Sequence, residues 1–187
     1  MIAQPIGMSG CGEPAAPARR NMAFPAASME RAMTFRITGL DPEPFRPLFE
    51  LSDAALHERG VRRVIADDLR MPCRVSMAHA ELGEELLLLN YAHQPANTPY
   101  RASHAIYVRR AAERAFEALD AVPEVIASRL VAARAFDAGH MMIDADVAEG
   151  EAEAGALFAR LLDDPKASYL QVHYARRGCY AARVERA

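Results

Sequence analysis

The chain contains no tryptophan, and Lys166 is the single lysine among 22 basic residues. Aromatic residues make up only 7% of the sequence, which argues against the aromatic platforms on which proteins stack nucleic-acid bases. The formal net charge is −3, so there is no basic excess to attract nucleic acid or an anionic membrane surface. The composition therefore predicts a protein that binds neither nucleic acid nor membranes.

Cysteines and long apolar runs are also scarce. The three cysteines, Cys11, Cys73 and Cys179, are too few and too widely spaced for a disulfide framework. No apolar run reaches the roughly 20 residues that a membrane-spanning helix requires. The motifs of P-loops, nucleophile elbows, zinc proteases and paired CxxC sites are absent. We therefore expect a soluble cytoplasmic protein and predict no cofactor.

Residues 1–32 differ in composition from the rest of the chain. They contain four prolines, three glycines and eight alanines, with no helical or strand periodicity. Such a segment buries too little apolar surface to offset its ordering entropy, so we predict a disordered extension, with Met33 as a second candidate start. The pair Arg19-Arg20 does not predict export, because the short apolar segment behind it is interrupted by Pro25.

Residues 33–187 are predicted to form one α+β domain. Period-two patterns indicate strands at 34–38, 61–66, 73–77, 85–91 and 104–109, a hairpin joining 134–137 to 141–147, and a second hairpin joining 169–175 to 179–184. Capping and periodicity indicate helices between Ser52 and Gly60, over 123–130 and over 149–162. The expected fold is a mixed, largely antiparallel sheet with a C-terminal β-hairpin, a few short helices and one βαβ-like crossover.

The C-terminal hairpin carries the first candidate site. A three-residue loop with Gly178 in the left-handed region places Leu170, Val172 and Tyr174 on the same face as Tyr180, Ala182 and Val184. The same register places four polar residues on the opposite face: Gln171, His173, Cys179 and Arg183. His173 and Cys179 are candidate catalytic residues, and Arg176 and Arg177 at the rim are candidate anion ligands. The alternative is an ordinary solvated sheet face with an inert cysteine.

A second candidate is the segment 92–103, expected to be a loop after a central strand. Ligands are often bound by such loops, and His93, Tyr100, Arg101 and His104 are candidate ligand-binding residues. The alternative is a turn-rich connection whose polar groups bond to the backbone.

Two further candidates are acidic and metal-ligating residues. Asp144 and Asp146 alternate with apolar residues, so they are expected to point away from the core and either bind a cation or pair with arginines. The histidines at 93, 104 and 173 and the cysteines at 73 and 179 are suitable metal ligands. No close spacing orders them, so the sequence assigns no metal site.

Four segments together resemble a bacterial family of unknown function, the domain-of-unknown-function family numbered 1203: residues 33–40, 86–95, 99–103 and 175–184. The resemblance extends over 33–187 and implies that residues 1–32 are foreign to the domain. It implies no reaction. Relatives often have histidine where this chain has Gln171, and this departure weakens a His-x-His metal site built on His173.

The sequence supports two hypotheses about the function. The first hypothesis is a small enzyme or ligand-binding domain whose arginines, histidines and cysteine form a polar site for a small anionic molecule. The second is a non-catalytic interaction or structural module. The two differ in geometry, because the first requires the site residues of the 93–104 segment and the hairpin to converge.

Overall fold

The computed structural model describes residues 34–187. The extension predicted over residues 1–32 and the candidate start at Met33 lie outside the described residues. None of the helices between 34 and 187 is long and apolar enough to cross a membrane.

The described chain contains nine strands, three α-helices and one 3₁₀ helix. The strands are β1 Phe35–Thr38, β2 Arg62–Ile65, β3 Glu85–Gln94, β4 Ala102–Arg109, β5 Glu117–Leu119, β6 Leu130–Phe136, β7 Met142–Glu149, β8 Tyr169–Tyr174 and β9 Tyr180–Arg186. The helices are α1 Asp53–Glu58, α2 Glu124–Ala127 and α3 Glu151–Asp163, with the 3₁₀ helix at Arg46–Glu50.

These strands form two sheets. The larger sheet has six strands in the order β5-β1-β9-β8-β6-β7, and the smaller has three in the order β2-β3-β4. All paired strands in both sheets are antiparallel. Because β7 and β8 are both antiparallel to β6, they run parallel to each other and are joined through α3. The predicted α+β class, C-terminal hairpin and crossover are therefore confirmed.

One face of the larger sheet, here called the helix face, packs against α3. Leu170 and Val172 of β8 share a buried core with Phe158 and Leu161 of the helix. The helix places one apolar stripe on the sheet, which is the arrangement that its sequence pattern predicts. Since side chains alternate along a strand, Gln171 and His173 of β8 lie on the other face, here called the histidine face.

Several element boundaries differ from the sequence predictions. Residues 73–77 do not form a strand: only single bridges, Pro72 to His79 and Cys73 to Tyr107, occur there. The predicted loop 92–103 is shorter, because β3 continues to 94 and β4 begins at 102. The helix predicted over 123–130 ends at 127, and β6 then begins at 130. The short strand β5 was not predicted.

Candidate functional site

Three histidines from two different sheets meet above the histidine face. His93 comes from β3, His104 from β4 and His173 from β8. One ring nitrogen of each lies within 4.8 Å of the other two. His173 is 0% exposed, whereas His93 and His104 are partly buried. The fold thus gathers three imidazoles that are 11 and 69 positions apart along the chain.

A β-bulge in β3 directs this arrangement. The pairing of β3 with β4 shifts register between Tyr91 and Gln94. Two consecutive side chains, those of His93 and Gln94, consequently reach β8: His93 contacts Gln171, and Gln94 Nε2 donates to the Tyr169 hydroxyl at 2.7 Å. A regular strand would place consecutive side chains on opposite faces, so the extra residue re-aims one of them.

Gln171 fixes the orientation of His93. Its Nε2 donates to the His93 carbonyl at 3.0 Å, so its Oε1 must be the acceptor facing His93 Nδ1, 2.8 Å away. Nδ1 of His93 therefore carries the proton, and Nε2 of the neutral ring offers a lone pair. That lone pair accepts a hydrogen bond from His104 Nδ1 at 2.8 Å.

His173 is fixed in a similar way from within its own hairpin. Its Nδ1 donates to the Gly178 carbonyl at 3.0 Å, which leaves the lone pair on Nε2. Nε2 is buried and has no hydrogen-bond partner among residues 34–187. The His173 ring stands nearly perpendicular to those of His93 and His104, at centroid distances of 5.0 and 5.5 Å. A buried polar atom without a partner is unusual and needs an explanation.

Burial keeps all three imidazoles neutral. Desolvation lowers the pKa of His173 to about 3, against the opposing effect of its bond to Gly178. Desolvation also lowers the pKa of His93, where the Gln171 hydrogen bond opposes it, and the pKa of His104. The charge of Arg134 lowers the pKa of each of the three further. At neutral pH the cluster therefore presents lone pairs and no charge.

Arg134 of β6 borders the cluster on the histidine face. It lies opposite Gln171 of β8 and Ala145 of β7, so its side chain projects on the same face as Gln171. It is partly exposed and forms no ion pair with any residue between 34 and 187. Val147 on the neighbouring strand is 56% exposed, so this end of the face is accessible to small molecules.

The predicted pairing of Cys179 with His173 is wrong. The cross-strand register is as predicted from Leu170–Val184 to Val172–Ala182, but a bulge then pairs His173 with Tyr180. Tyr180 therefore leaves the predicted apolar face and stacks on His93, with ring centroids 5.0 Å apart. Cys179 lies opposite Tyr174 and packs against the core beneath the helix face. A one-residue bulge is enough to exchange the faces of the residues beyond it.

The remaining predicted ligands are not brought to the cluster. Arg101 lies beside Asn90 and Ser103 in a depression of about 390 Å³ on the outer face of the smaller sheet. Tyr100 packs edge to face on Phe136, 6.1 Å away. The guanidinium-bearing residues of the hairpin turn, Arg176 and Arg177, are exposed at its tip. Of the predicted site, only three members converge: His93, His104 and His173.

Asp144 and Asp146 pair with an arginine, as the alternative interpretation stated. Arg160 of α3 lies 3.4 Å from the Asp144 carboxylate and 3.0 Å from that of Asp146. Both carboxylates consequently lie on the helix face, and the expectation that they point away from the core face is wrong. Two large apolar side chains of β7, those of Ile143 and Val147, are also exposed.

Gln171 and Arg134 contribute to this site but were not predicted to be ligand-binding or catalytic residues. Gln171 was placed on the correct face, since it alternates with Leu170 and Val172, but its bonds to His93 depend on a bulge that no local pattern announces. Arg134 alternates with Ala133 and Ala135, which are buried in the helix-face core. This alternation could have placed Arg134 on the same face as Gln171, given the strand order.

The whole of this site lies in a segment that a known family shares. A family model described as a protein of unknown function, DUF1203, matches residues 70–186. The chain belongs to the DUF1203 family. The resemblance seen in the sequence is thereby confirmed over 70–186, a range that includes all three histidines, Gln171 and Arg134. No curated protein and no solved structure shows significant similarity to this DUF1203 chain.

Proposed function

We propose that this DUF1203 protein is a small enzyme or ligand-binding domain that acts through a divalent transition metal held by His93, His104 and His173. Zn²⁺ is the first candidate ion. The observation that carries the proposal is the buried, unpartnered Nε2 of His173, which faces two other neutral imidazoles. A metal ion is the partner that would satisfy this atom.

The hydrogen bonds around the cluster support this role. Metal-ligating histidines usually donate their second ring N–H to a carbonyl, carboxylate or water, which fixes the tautomer and the ring orientation. His93 donates Nδ1–H to Gln171, and His173 donates Nδ1–H to Gly178. Both therefore present Nε2 to the centre, as such ligands require.

The His93–His104 hydrogen bond is compatible with metal entry. An ion about 2.0–2.1 Å from each of four tetrahedral ligands needs nitrogens roughly 3.3 Å apart. The His93 and His104 nitrogens are 2.8 Å apart, and all three atoms lie within 4.8 Å. To bind the ion through Nδ1, His104 would take the other neutral tautomer, with its proton on Nε2 instead of Nδ1. The side chains would also shift by on the order of 1 Å to reach the tetrahedral spacing.

Three protein ligands leave one coordination position open on a tetrahedral ion. Sites of this composition are typical of catalytic zinc, where the fourth position holds a water whose pKa the metal lowers to about 7. Neither cysteine of the described chain approaches the cluster, so the ligand set is nitrogen only. This set favours ions such as Zn²⁺, Cu²⁺ or Ni²⁺ over Mg²⁺ or Ca²⁺.

The test measures metal binding by tag-free protein stripped with a chelator. We expect one Zn²⁺ per chain, and Co²⁺ in its place should give the visible absorption of a four-coordinate nitrogen site. His104→Gln should weaken Zn²⁺ binding by more than the roughly 10–100-fold lost when a residue hydrogen-bonded to a metal ligand is removed. The matched control is His57→Gln on exposed α1, which should bind as the wild type does.

Circular dichroism checks that each variant is folded. His104 is partly exposed, so its substitution tests the site even where a change at buried His173 disrupts folding. Absence of stoichiometric Zn²⁺ binding, or equal loss in His104→Gln and His57→Gln, would reject the metal proposal.

The second candidate function is a non-catalytic interaction module. It is favoured by the exposed apolar residues of edge strand β7, where Val147 is 56% and Ile143 is 36% exposed. This function would be supported if the protein binds no metal and if its self-association, or its association with a partner, is lost in Val147→Ser. For either function we propose a cytoplasmic location, supported by the unpaired thiols of Cys73 and Cys179.

A further inference from the structure

The guanidinium of Arg134 lies beside the histidine cluster without a counterion in the described chain. The other arginine on the histidine face of β6, β8 and β9 is Arg183. Its guanidinium pairs with Glu185 at 2.7 Å and lies over the Tyr169 ring. A partly buried charge next to neutral groups is stabilised by an anion that it can bond through two N–H groups. Arg134 is therefore the element of this face that remains available for a ligand.

The surface around Arg134 has a distinct shape. Cross-strand pairing aligns His173 with Ala132 of β6 and Ala132 with Val147 of β7. The adjacent row aligns Gln171 with Arg134 and Arg134 with Ala145. Neighbouring strands are about 4.8 Å apart, so Val147 stands roughly 10 Å from His173, with Ala132 between them.

We infer that Arg134 and the open metal position together bind a small carboxylate whose apolar body lies over Ala132 and Val147. This inference rests on the proposed metal site and names the class of ligand that the site takes. The carboxylate lies between the guanidinium and the metal, and the exposed valine covers the adjacent alkyl or aryl group.

A carboxylate fits this surface better than a phosphate. Phosphate sites usually offer several donors, such as a helix N-terminus or a cluster of basic residues. The face around the cluster offers one free guanidinium, small apolar side chains and neutral imidazoles. An amphipathic monoanion uses the charge and the apolar floor together.

The experiment titrates hexanoate, acetate, hexanamide and inorganic phosphate into protein whose metal content has been measured first. With Zn²⁺ bound, hexanoate should bind at least about tenfold more tightly than each of the other three probes. Arg134→Gln should weaken hexanoate binding by on the order of tenfold or more while leaving the Zn²⁺ affinity within a few-fold.

Two matched variants complete the design. Arg177→Gln removes the same charge at the exposed hairpin turn and should leave hexanoate binding unchanged. Val147→Ser should reduce the preference for hexanoate over acetate without changing acetate binding.

The outcomes separate this inference from the metal proposal. Zn²⁺ binding with equal hexanoate affinity in wild type and Arg134→Gln overturns the inference and leaves the metal site standing. Tighter binding of phosphate than of hexanoate overturns the ligand class. Absence of Zn²⁺ binding overturns the proposed function itself, and with it the inference that Arg134 and the metal bind the carboxylate together.

Discussion

His173 donates its Nδ1–H to the backbone carbonyl of Gly178, five residues further along the same hairpin, at 3.0 Å. The turn that reverses the chain therefore also sets the tautomer of the most buried histidine. Gly178 adopts a positive φ of 73°, a conformation that glycine accepts without strain. Local turn geometry and the chemistry of the cluster are coupled through this one hydrogen bond.

The first prediction concerns the pH dependence of stability of the metal-free protein. The folded-state pKa of His173 is about 3, below the roughly 6.5 of an unfolded histidine. The unfolded chain therefore takes up the proton first, and stability present above pH 6.5 is lost as pH falls towards 3. The loss should reach at most about 1.4 kcal/mol per pH unit from this residue, because it takes up one proton. The groups that face it, His93, His104 and Arg134, offer no negative charge that would stabilise the protonated ring in the folded protein.

Urea denaturation between pH 7.5 and pH 4.5 measures this slope. His173→Leu should be less stable at pH 7.5 but should lose less stability on acidification. His57→Gln on α1 should keep the wild-type slope. An identical slope in wild type and His173→Leu would show that this imidazole is not buried in its neutral form.

The second prediction concerns Gln171, which orients His93 through two hydrogen bonds. Gln171→Leu removes both, so Zn²⁺ affinity should fall by roughly 10–100-fold although no ligand is lost. Gln171→Glu keeps an acceptor for His93 Nδ1 and should recover part of the affinity. The neighbouring buried amide provides the control: Gln94→Leu breaks a bond to Tyr169 and should leave the affinity within a few-fold. Equal effects of Gln171→Leu and Gln94→Leu would refute the positioning role.

The fold was predictable wherever local signals determine an element. Ser52 accepts a hydrogen bond from the Ala55 N–H at 3.3 Å and caps α1, as its position before the helix indicates. The apolar stripe of α3 faces the larger sheet. By contrast, residues 73–77 have strand-like composition but form only isolated bridges: residues 74–76 form a turn, and Met77 takes a left-handed φ of 48°. β-propensity cannot reveal such a tertiary choice.

The site was less predictable than the fold, for a physical reason. His93, His104 and His173 were each identified as candidates, but their meeting depends on how two separate sheets pack. The Cys179–His173 pair was wrong because the hairpin contains a bulge, in which Ala181 joins the core beside Ala182. A period-two pattern cannot show where one extra residue is inserted, and every residue beyond the insertion changes face.

The third prediction concerns the two cysteines of the described chain. Cys73 is fully buried, and its sulfur accepts N–H contacts from Val75, Ser76 and Arg109 at 3.4–3.5 Å. Cys179 is partly exposed near the hairpin turn. In a Cys11→Ser background, Cys179 should react with iodoacetamide on the order of tenfold faster or more, because Cys73 reacts only after local opening.

Mass spectrometry of Cys73→Ser and Cys179→Ser variants in that background assigns each rate. Loss of the fast phase in Cys73→Ser, or equal rates in the two variants, would contradict the burial of Cys73.

The fourth prediction compares two glycines that differ in their surroundings. A Cβ atom at Gly39 would lie 2.0 Å from the backbone oxygen of Val75, which itself accepts a hydrogen bond from Phe116 N–H at 2.8 Å. Gly39→Ala should therefore destabilise the protein by roughly 2–4 kcal/mol, as the two backbone segments are forced apart. At Gly155 in α3 the nearest atoms would be 3.8 Å away, on Phe35, which is ordinary contact.

Gly155→Ala should consequently stabilise the protein by up to about 1 kcal/mol, because alanine has the higher helix propensity. Urea denaturation of both variants at pH 7.5 measures the two changes, which should have opposite signs. A neutral Gly39→Ala would mean that the segment after β1 does not approach residues 74–75 as closely as described. β1 pairs directly with β9, and Tyr180 of β9 stacks on His93. That result would therefore also contradict the described position of the histidine cluster.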